Sequence, residues 1–269
     1  MANRTISKGY ADLSWGQLHF RTVGGATGGP PLVLLHQSPL SSRNYERLLP
    51  LLADRCRPFA IDSPGYGASS PVPESWEVED YAKVVWDFAD HLGAEKIMLF
   101  GRATGAVFAI EAALSRPERV QGLMLHGMPV YTDEERVDRT ANYAPSFSLA
   151  ADGSHLQGIW NRIKGEYPWI SPELATHFVR DFLTAGMDFA RSYRAIWRYD
   201  LPRRVRGNLR VPTLLLGCTG DRIGFMHERA VALLPSAEAV VLDHATDFVA
   251  EQDPGRFAAC LNDFMARHV

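Results

Sequence analysis

Short apolar runs alternate with amphipathic stretches along most of this chain. The runs are typical of buried strands, and they comprise residues 31–35, 57–61, 96–100, 123–125, 213–217 and 239–242. Between them, stretches such as residues 78–92 carry apolar side chains at the spacing of one helix face. The alternation predicts a parallel sheet covered by helices on both faces. Residues 5–13 and 18–22 are candidates for antiparallel edge strands.

The alternation breaks between residues 131 and 206. This interval is rich in helix formers and in large aromatic side chains, which predicts an inserted helical cap. The 269 residues, of which 46% are hydrophobic, suffice for one large core. We expect residues 1–130 and 207–269 to form that core and residues 131–206 to form the cap. The aromatic residues of the cap either pack against one another or line an apolar pocket, in which case Trp160 and Trp169 are candidate substrate contacts.

Charge and composition exclude several classes of partner. The formal net charge is −3 without a long block of like charge, so neither nucleic acid nor a membrane surface is expected as a partner. The N-terminus has no apolar signal region and no run of about 18 apolar residues occurs, so we expect neither a signal peptide nor a membrane span. The cysteines Cys56, Cys218 and Cys260 are expected as small apolar side chains of a cytoplasmic protein.

The segment Gly101-Arg102-Ala103-Thr104-Gly105 joins a predicted strand to a predicted helix. Its frame matches G-x-S-x-G, in which a serine nucleophile stands on a sharp strand-to-helix turn. Here Ala103 holds the middle position. Because a methyl group has no attacking atom, covalent catalysis from this position is excluded.

Four further motifs stand in a fixed order around this turn. They are residues 36–39 (HQSP), 62–69 (DSPGYGAS), 217–221 (GCTGD) and 244–254 (HATDFVAEQDP). With the turn at 101–105 in place, the chain resembles the α/β-hydrolase superfamily over nearly its whole length, in the chain order nucleophile, acid, histidine. The resemblance implies an eight-stranded, mostly parallel sheet with helices on both faces and an inserted helical cap.

The resemblance also implies where a catalytic acid and base belong. Asp221 ends the motif that supplies the acid. Counting back from Glu251-Gln252 places Asp247 at the usual histidine position, and His244 lies three residues earlier. Either Asp247 occupies the site, or a shifted loop brings His244 there as a base.

An oxyanion hole built from backbone groups can survive the loss of the nucleophile. By the geometry of the family, its donors are the N–H groups of Ser38 and Thr104, and the start of the following helix adds its positive end. Gln37 replaces a glycine of the family motif, so its side-chain amide is a candidate third donor or a group that orients water. Positioning and oxyanion donors alone still give about 10³-fold acceleration in well-studied triads.

Arg102 has three interpretations. It pairs with Asp221 and Asp247 as a charged cluster that replaces the triad relay, it binds a substrate carboxylate, or it forms an ordinary ion pair that holds a loop. His36, which is usually structural in this family, and His126, at the end of a strand, are candidate substrate contacts near the pocket.

No cofactor or metal is expected. The remaining histidines lack C-x-x-C or H-x-x-x-H companions, and the sequence has neither a G-x-G-x-x-G that opens a helix nor a P-loop lysine. The expected partner is a small-molecule substrate, and a homodimer is left open.

Three functions remain open from the sequence. The first is a cofactor-independent enzyme that uses an oxyanion hole and non-serine acid/base groups on a small aromatic or polyketide-like carbonyl compound, as a lyase, isomerase, cyclase or water-mediated hydrolase. The second is a serine esterase inactivated by an engineered serine-to-alanine change at position 103. The third is a non-catalytic ligand-binding protein.

Overall fold

A sheet of eight strands forms the centre of the structure, a computed structural model that describes residues 4–24, 29–143 and 145–268. The strands are β1 (Ile6–Leu13), β2 (Gly16–Val23), β3 (Pro31–Leu35), β4 (Arg57–Ile61), β5 (Ile97–Arg102), β6 (Val120–His126), β7 (Thr213–Gly220) and β8 (Glu238–Thr246). Their order is β1-β2-β4-β3-β5-β6-β7-β8, with antiparallel pairing on both sides of β2 and parallel pairing elsewhere. The predicted eight-stranded, mostly parallel sheet is confirmed, although β2 lies inside the sheet rather than at its edge.

The helices of the described residues lie on the sheet or between β6 and β7. They are α1 (Leu49–Leu52), α2 (Val78–His91), α3 (Thr104–Ser115), α4 (Asp133–Asn142), α5 (Ser154–Glu166), α6 (Pro172–Ala185), α7 (Arg191–Arg198), α8 (Leu201–Val205), α9 (His227–Leu233), α10 (Val249–Gln252) and α11 (Pro254–His268). Reciprocal hydrogen bonds between Glu77 and Asp80 cap the start of α2. Across the described ranges, none of these helices combines the length and the apolar content that crossing a bilayer requires.

Apolar side chains cover the sheet on both faces, which is why every residue of β3 and β5 is buried. On one face α2 and α3 pack together, and the rings of Tyr81 and Phe108 stack with their centroids 4.4 Å apart. On the other face α1 and α11 pack on the sheet, where Phe257 and Phe264 are fully buried. Parallel strands need this double coverage because neither of their faces is polar.

Helices α4–α8 occupy the interval between β6 and β7. Buried residues of α5, α6 and the loops beside them form an aromatic cluster, with Phe178, Phe182 and Phe189 among its members. Tyr66 and Phe248 join this cluster from the loops that follow β4 and β8. The interval is helical and seals the end of the sheet at which β5, β7 and β8 finish. The division into a core and a cap of residues 131–206 stays a prediction.

The motif at residues 62–69 begins with Asp62, whose buried carboxylate connects neighbouring loops to the sheet through hydrogen bonds. Its oxygens lie 2.8 Å from Nδ1 of His19 and accept the N–H groups of Ser42 and Ala68 at 2.6 and 2.8 Å. Burial alone would raise the pKa of Asp62, but these hydrogen bonds outweigh it and hold the pKa well below its ordinary value. Gly67 has φ 54°, and a Cβ there would lie 2.1 Å from Oδ2 of Asp62. The motif is therefore structural.

Replacing Asp62 by alanine is expected to lower the free energy of unfolding by about 3–5 kcal/mol, because its buried donors lose their acceptor. The control Asp54→Ala removes an exposed carboxylate that pairs with Arg4, and should cost less than about 1 kcal/mol. Urea unfolding followed by tryptophan fluorescence measures both. Equal, small losses would contradict the structural role of Asp62.

Candidate active site

Ala103 stands in a sharp turn between the end of β5 and the start of α3. Its backbone has φ 48° and ψ −110°, and a positive φ is uncommon outside glycine. The flanking glycines permit the turn, since a Cβ at Gly101 would lie 2.4 Å from the carbonyl oxygen of Gly105, and one at Gly105 would lie 2.4 Å from that of Leu35. The sharp strand-to-helix turn that normally carries a nucleophile is thus retained, with a methyl group in the place of the nucleophile. This methyl group lines a cavity, here called the site cavity.

A buried cluster of three charged side chains lies beside this turn. Nη2 of Arg102 is 3.0 Å from Oδ2 of Asp221 and 3.8 Å from Oδ2 of Asp247. The three residues stand at or directly after the ends of β5, β7 and β8, and the carboxyl ends of parallel strands meet at one edge of a sheet. The fold therefore brings Asp247, and not His244, to Asp221.

Backbone donors and a glycine hold the two carboxyl groups in place. Oδ1 of Asp221 accepts the N–H of Ile223 at 2.8 Å, and Oδ1 of Asp247 accepts the N–H of Arg222 at 2.7 Å. Gly127 leaves room for the cluster, because a Cβ there would lie 2.8 Å from Oδ2 of Asp221. The carboxyl groups are fixed before any ligand binds.

The two carboxyl groups differ in their affinity for protons. Burial raises the pKa of Asp247 to about 7; Asp221 contributes to the rise and Arg102 opposes it. Burial acts in the same direction on Asp221, but Arg102 together with His126, the Asp247 carboxyl and the N–H of Ile223 outweighs it, so the pKa of Asp221 lies below its ordinary value. At neutral pH the cluster holds an ionised Asp221, the Arg102 cation and an Asp247 carboxyl that readily exchanges its proton. Such a carboxyl is suited to general acid–base catalysis.

The expected oxyanion donors are only partly available. The N–H of Ser38 donates to Oγ1 of Thr104 at 2.7 Å. This corrects the expectation for Ser38, because the threonine side chain occupies the amide that a substrate oxygen would need. The N–H of Thr104 lies in the first turn of α3, where no intrahelical acceptor exists, and no other acceptor for it is found in the part of the chain that the structure describes. Gln37 lines the site cavity.

The side chains of two histidines that were expected to contact the substrate point into the protein interior. Nε2 of His36 accepts the N–H of Ser63 at 2.9 Å, and its Nδ1 lies 3.0 Å from the carbonyl oxygen of Gln37. His126 lies behind the cluster, with Nε2 3.6 Å from Oδ2 of Asp221, and burial lowers its pKa to about 3, so the ring is neutral. Neither ring lines the site cavity, so both are corrected as substrate contacts.

His244 also lies outside the site cavity. It is exposed within β8, where its backbone N–H donates to the hydroxyl of Thr219 at 2.8 Å. The strand continues past it, and the chain then turns inward to bury Asp247. This corrects the expectation that a shifted loop makes His244 the base.

The two tryptophans that were expected as substrate contacts lie away from the site cavity. Trp169 is 43% exposed and packs edge-on against Tyr167 and Phe248. Trp160 packs on the aromatic cluster of α4–α8. Both expectations are corrected, because these rings belong to the packing of the helices among themselves. The aromatic residues that line the site cavity are tyrosines, namely Tyr131, Tyr143, Tyr167 and Tyr193.

The model of the α/β hydrolase fold family matches residues 30–254 of this chain. The chain belongs to the α/β-hydrolase family. Haloalkane dehalogenase 2 of Mycobacterium tuberculosis (strain ATCC 25618 / H37Rv) is 33% identical over 115 residues, which are 42% of this chain and 39% of the relative. Proline iminopeptidase of Clostridium botulinum (strain Hall / ATCC 3502 / NCTC 13319 / Type A) is 32% identical over 125 residues, or 45% of this chain and 43% of the relative. These relatives are hydrolytic enzymes, and the matched segments span less than half of their length.

Solved structures of two hydrolases have the same fold over nearly the whole chain. Epoxide hydrolase A from Mycobacterium thermoresistibile has a TM-score of 0.78 at 22% identity and covers 97% of this chain and 98% of its own. A hydrolase from Pseudomonas aeruginosa PA01 has a TM-score of 0.78 at 21% identity, with 98% of each chain covered. At this identity the likeness establishes the fold.

Two arginines that sequence reasoning did not single out line the site cavity of this α/β-hydrolase. They are Arg139, on α4, and Arg222, directly after Asp221. The position of Arg222 next to the acid motif was a usable signal, whereas Arg139 looks like any charged residue of an exposed helix. Within the described ranges, no three His, Cys, Asp or Glu side chains are grouped as a metal site.

The site cavity is small. Its volume is about 40 Å³, which is room for a few water molecules and far below the ~300–1,000 Å³ of sites that enclose drug-sized ligands. A larger substrate can enter only if side chains on the α4–α8 side move.

Asp247→Asn is expected to change how the stability depends on pH. Folding raises the pKa of Asp247 from an ordinary value of about 3.9 to about 7, so the folded chain keeps the proton longer than the unfolded chain. Its contribution is full below about pH 4 and is lost as the pH rises to about 7. Between about pH 5 and pH 8 the wild type should lose on the order of 1–3 kcal/mol relative to the variant.

Urea unfolding at several pH values measures this difference. Asp243→Asn is the matched control, since Asp243 is an exposed carboxylate on the same strand. Parallel pH profiles for the wild type and Asp247→Asn would show that Asp247 titrates at its ordinary pKa, contrary to the structure.

Proposed function

We propose that this protein is a cofactor-independent acid–base enzyme of the α/β-hydrolase family that acts on a small carbonyl compound without forming a covalent intermediate. Asp247 carries the proton in this proposal. The observation that supports it is the position of this carboxyl, which is buried, lines the site cavity together with Ala103, and has its pKa raised to about 7.

The reaction that fits this arrangement best is hydrolysis by an activated water molecule. Ionised Asp247 accepts a proton from water as the water oxygen bonds to the substrate carbonyl carbon, and negative charge develops on the carbonyl oxygen. The protonated Asp247 then returns the proton to the leaving group as the bond to that group breaks. The same carboxyl can instead remove a proton from carbon next to the carbonyl and return it elsewhere, as a lyase or isomerase does.

Donors for the developing charge remain after the changes at this site. The free N–H of Thr104 at the start of α3 and the side-chain amide of Gln37 both belong to residues that line the site cavity. A helix N-terminus also favours negative charge. Two donors in an enclosed site are the usual number for oxyanion stabilisation, and each is worth about 10²–10³ in rate.

Arg102, which also lines the site cavity, supports this role through its charge. It keeps Asp221 ionised, and the ionised Asp221 in turn helps to raise the pKa of Asp247. Without the cation, two carboxyl groups at this distance would compete for one proton. We assign Arg102 a positioning and electrostatic role.

The structure gives little support to an inactivated serine hydrolase. Such an enzyme needs a histidine between the acid and the nucleophile. Asp247 occupies that place, and His244 is exposed outside the site cavity. Restoring a hydroxyl at position 103 would therefore leave it without its usual base.

Asp247→Asn is expected to lower kcat/KM by about 10²–10⁴, because the amide cannot exchange the proton. The assay follows product formation by mass spectrometry across a panel of small esters, lactones and enol-containing carbonyl compounds. In the wild type, the rate of water activation should rise with pH through about 7, where Asp247 loses its proton.

Asp243→Asn, on the same strand but exposed, should keep the wild-type rate. Full activity of Asp247→Asn on a substrate that the wild type converts would refute the proposed role of Asp247. Tight binding of panel compounds without any product would instead favour a ligand-binding protein.

Ala103→Ser alone is expected not to create an esterase, because no histidine stands ready to take the proton of the new hydroxyl. The measurement is p-nitrophenol release from p-nitrophenyl acetate in the first turnover. A burst equal to the enzyme concentration would contradict the proposal and favour the engineered, inactivated hydrolase.

A further inference from the structure

One wall of the site cavity is rich in guanidinium groups. This wall is formed by the helices between β6 and β7 and by the loop after β7. Arg139 and Arg222 both line the cavity that Ala103 and Asp247 line. Arginine at a buried site is normally matched by a carboxylate. The hydrogen-bond and ion-pair partners of each guanidinium therefore indicate whether the cavity lacks a negative charge that would match it.

Arg222 is anchored at its backbone and only partly satisfied at its side chain. Its N–H donates to Asp247, and Nη2 donates to the hydroxyl of Tyr143 at 2.6 Å. Nη1 lies 3.6 Å from Oε2 of Glu166, which is an ion pair without a hydrogen bond. Nε is buried and has no partner. The Nε–H of this guanidinium, among its other unpaired donors, is thus left for a ligand or a water molecule.

Arg139 has no carboxylate within 4 Å in the described ranges. Its guanidinium carbon lies 4.5 Å from the centroid of the Tyr143 ring, so the cation rests on an aromatic face. Glu166 is held by Nε of Arg162 at 3.0 Å, and Glu135, one turn before Arg139 on α4, is held by Nη1 of Arg229 at 2.7 Å. Four guanidiniums, those of Arg139, Arg162, Arg222 and Arg229, therefore face two carboxylates, which leaves an excess of positive charge beside the cavity.

The opposite wall offsets at most part of this excess, because it has one cation for two carboxyl groups. Asp221 is paired with Arg102 at 3.0 Å, and Asp247 shares that same cation at 3.8 Å. The tyrosine hydroxyl groups that line the cavity are neutral, since burial raises the pKa of Tyr143, Tyr167 and Tyr193 further above the ordinary value. A ligand in this cavity consequently meets a positively charged wall opposite the acid–base group.

We propose that the substrate carries a carboxylate, which Arg139 and Arg222 bind while the carbonyl group of the substrate lies between Ala103 and Asp247. The inference rests on the proposed function for the placing of the carbonyl group. A guanidinium matches the planar carboxylate with two parallel N–H donors, which makes it suited to this role. The remaining face of the carboxylate contacts the tyrosine rings.

Binding of two acid–amide pairs tests the charge preference: acetate against acetamide, and benzoate against benzamide. Isothermal titration or saturation-transfer NMR on the wild-type protein, at constant ionic strength and neutral pH, should show each acid binding about tenfold or more tightly than its amide. Arg139→Gln should remove most of this preference, and Arg139→Lys should keep part of it.

Arg203→Gln is the matched control, because Arg203 is an exposed cation on α8 and lines a different surface groove. It should keep the full preference for the acids, and the three arginine variants should share the wild-type melting temperature. Equal binding of acid and amide by the wild type, including no detectable binding of either, would overturn the proposal. An unchanged preference in Arg139→Gln, or tighter binding of inorganic phosphate than of either acid, would also overturn it.

The same titrations on Asp247→Asn separate this inference from the proposed function. The variant should keep the preference for acids, because the arginines are unchanged, while it loses turnover. If it keeps turnover, the role of Asp247 fails and the carboxylate site still stands. If it loses turnover but the wild type does not distinguish acid from amide, the carboxylate site fails and the role of Asp247 stands.

Discussion

The buried contact between Arg102, Asp221 and Asp247 is the interaction on which the rest of the site depends. One cation faces two carboxyl groups at 3.0 and 3.8 Å, so one carboxylate stays ionised while the other gains affinity for a proton. Burying such a cluster is costly unless its geometry is well satisfied. The backbone donors on both aspartates, and the missing side chain of Gly127, supply part of that geometry, while Nε of Arg102 and Oδ2 of Asp221 are buried without a hydrogen-bond partner. The cluster provides one carboxyl group, that of Asp247, which can hold or release a proton at neutral pH.

The turn around Ala103 shows how an α/β-hydrolase can retain its architecture while it loses its nucleophile. The positive φ at Ala103 and the close backbone contacts of Gly101 and Gly105 depend on the main chain, not on a reactive side chain. Thr104 then uses its hydroxyl to bind the N–H of Ser38, which closes one oxyanion donor. In the proposed function, a water molecule activated by a carboxyl group takes over the role of the attacking oxygen. The positive wall formed by Arg139 and Arg222 indicates which substrates that carboxyl group would meet.

Sequence reasoning succeeded where a motif reports on the backbone. Short apolar runs predicted the sheet, and motifs in a fixed order along the chain indicated the α/β-hydrolase fold. Sequence reasoning failed where the role of a residue depends on the direction in which its side chain points. His36 and His126 stand in the right loops, yet their rings point into the fold. Trp160 and Trp169 are in the aromatic helical interval, but they pack among its helices.

By itself, the sequence determined that the chain is an α/β-hydrolase without a nucleophile, because a family motif and the absence of an attacking atom are both local facts. It left open whether His244 or Asp247 reaches the site, and it gave no sign that Arg139 does. Only the tertiary structure decided these points. Strands that end at one edge of the sheet bring together residues more than a hundred positions apart, and their burial together sets the charges that each can hold. Proton affinity depends on those neighbours, which no single motif contains.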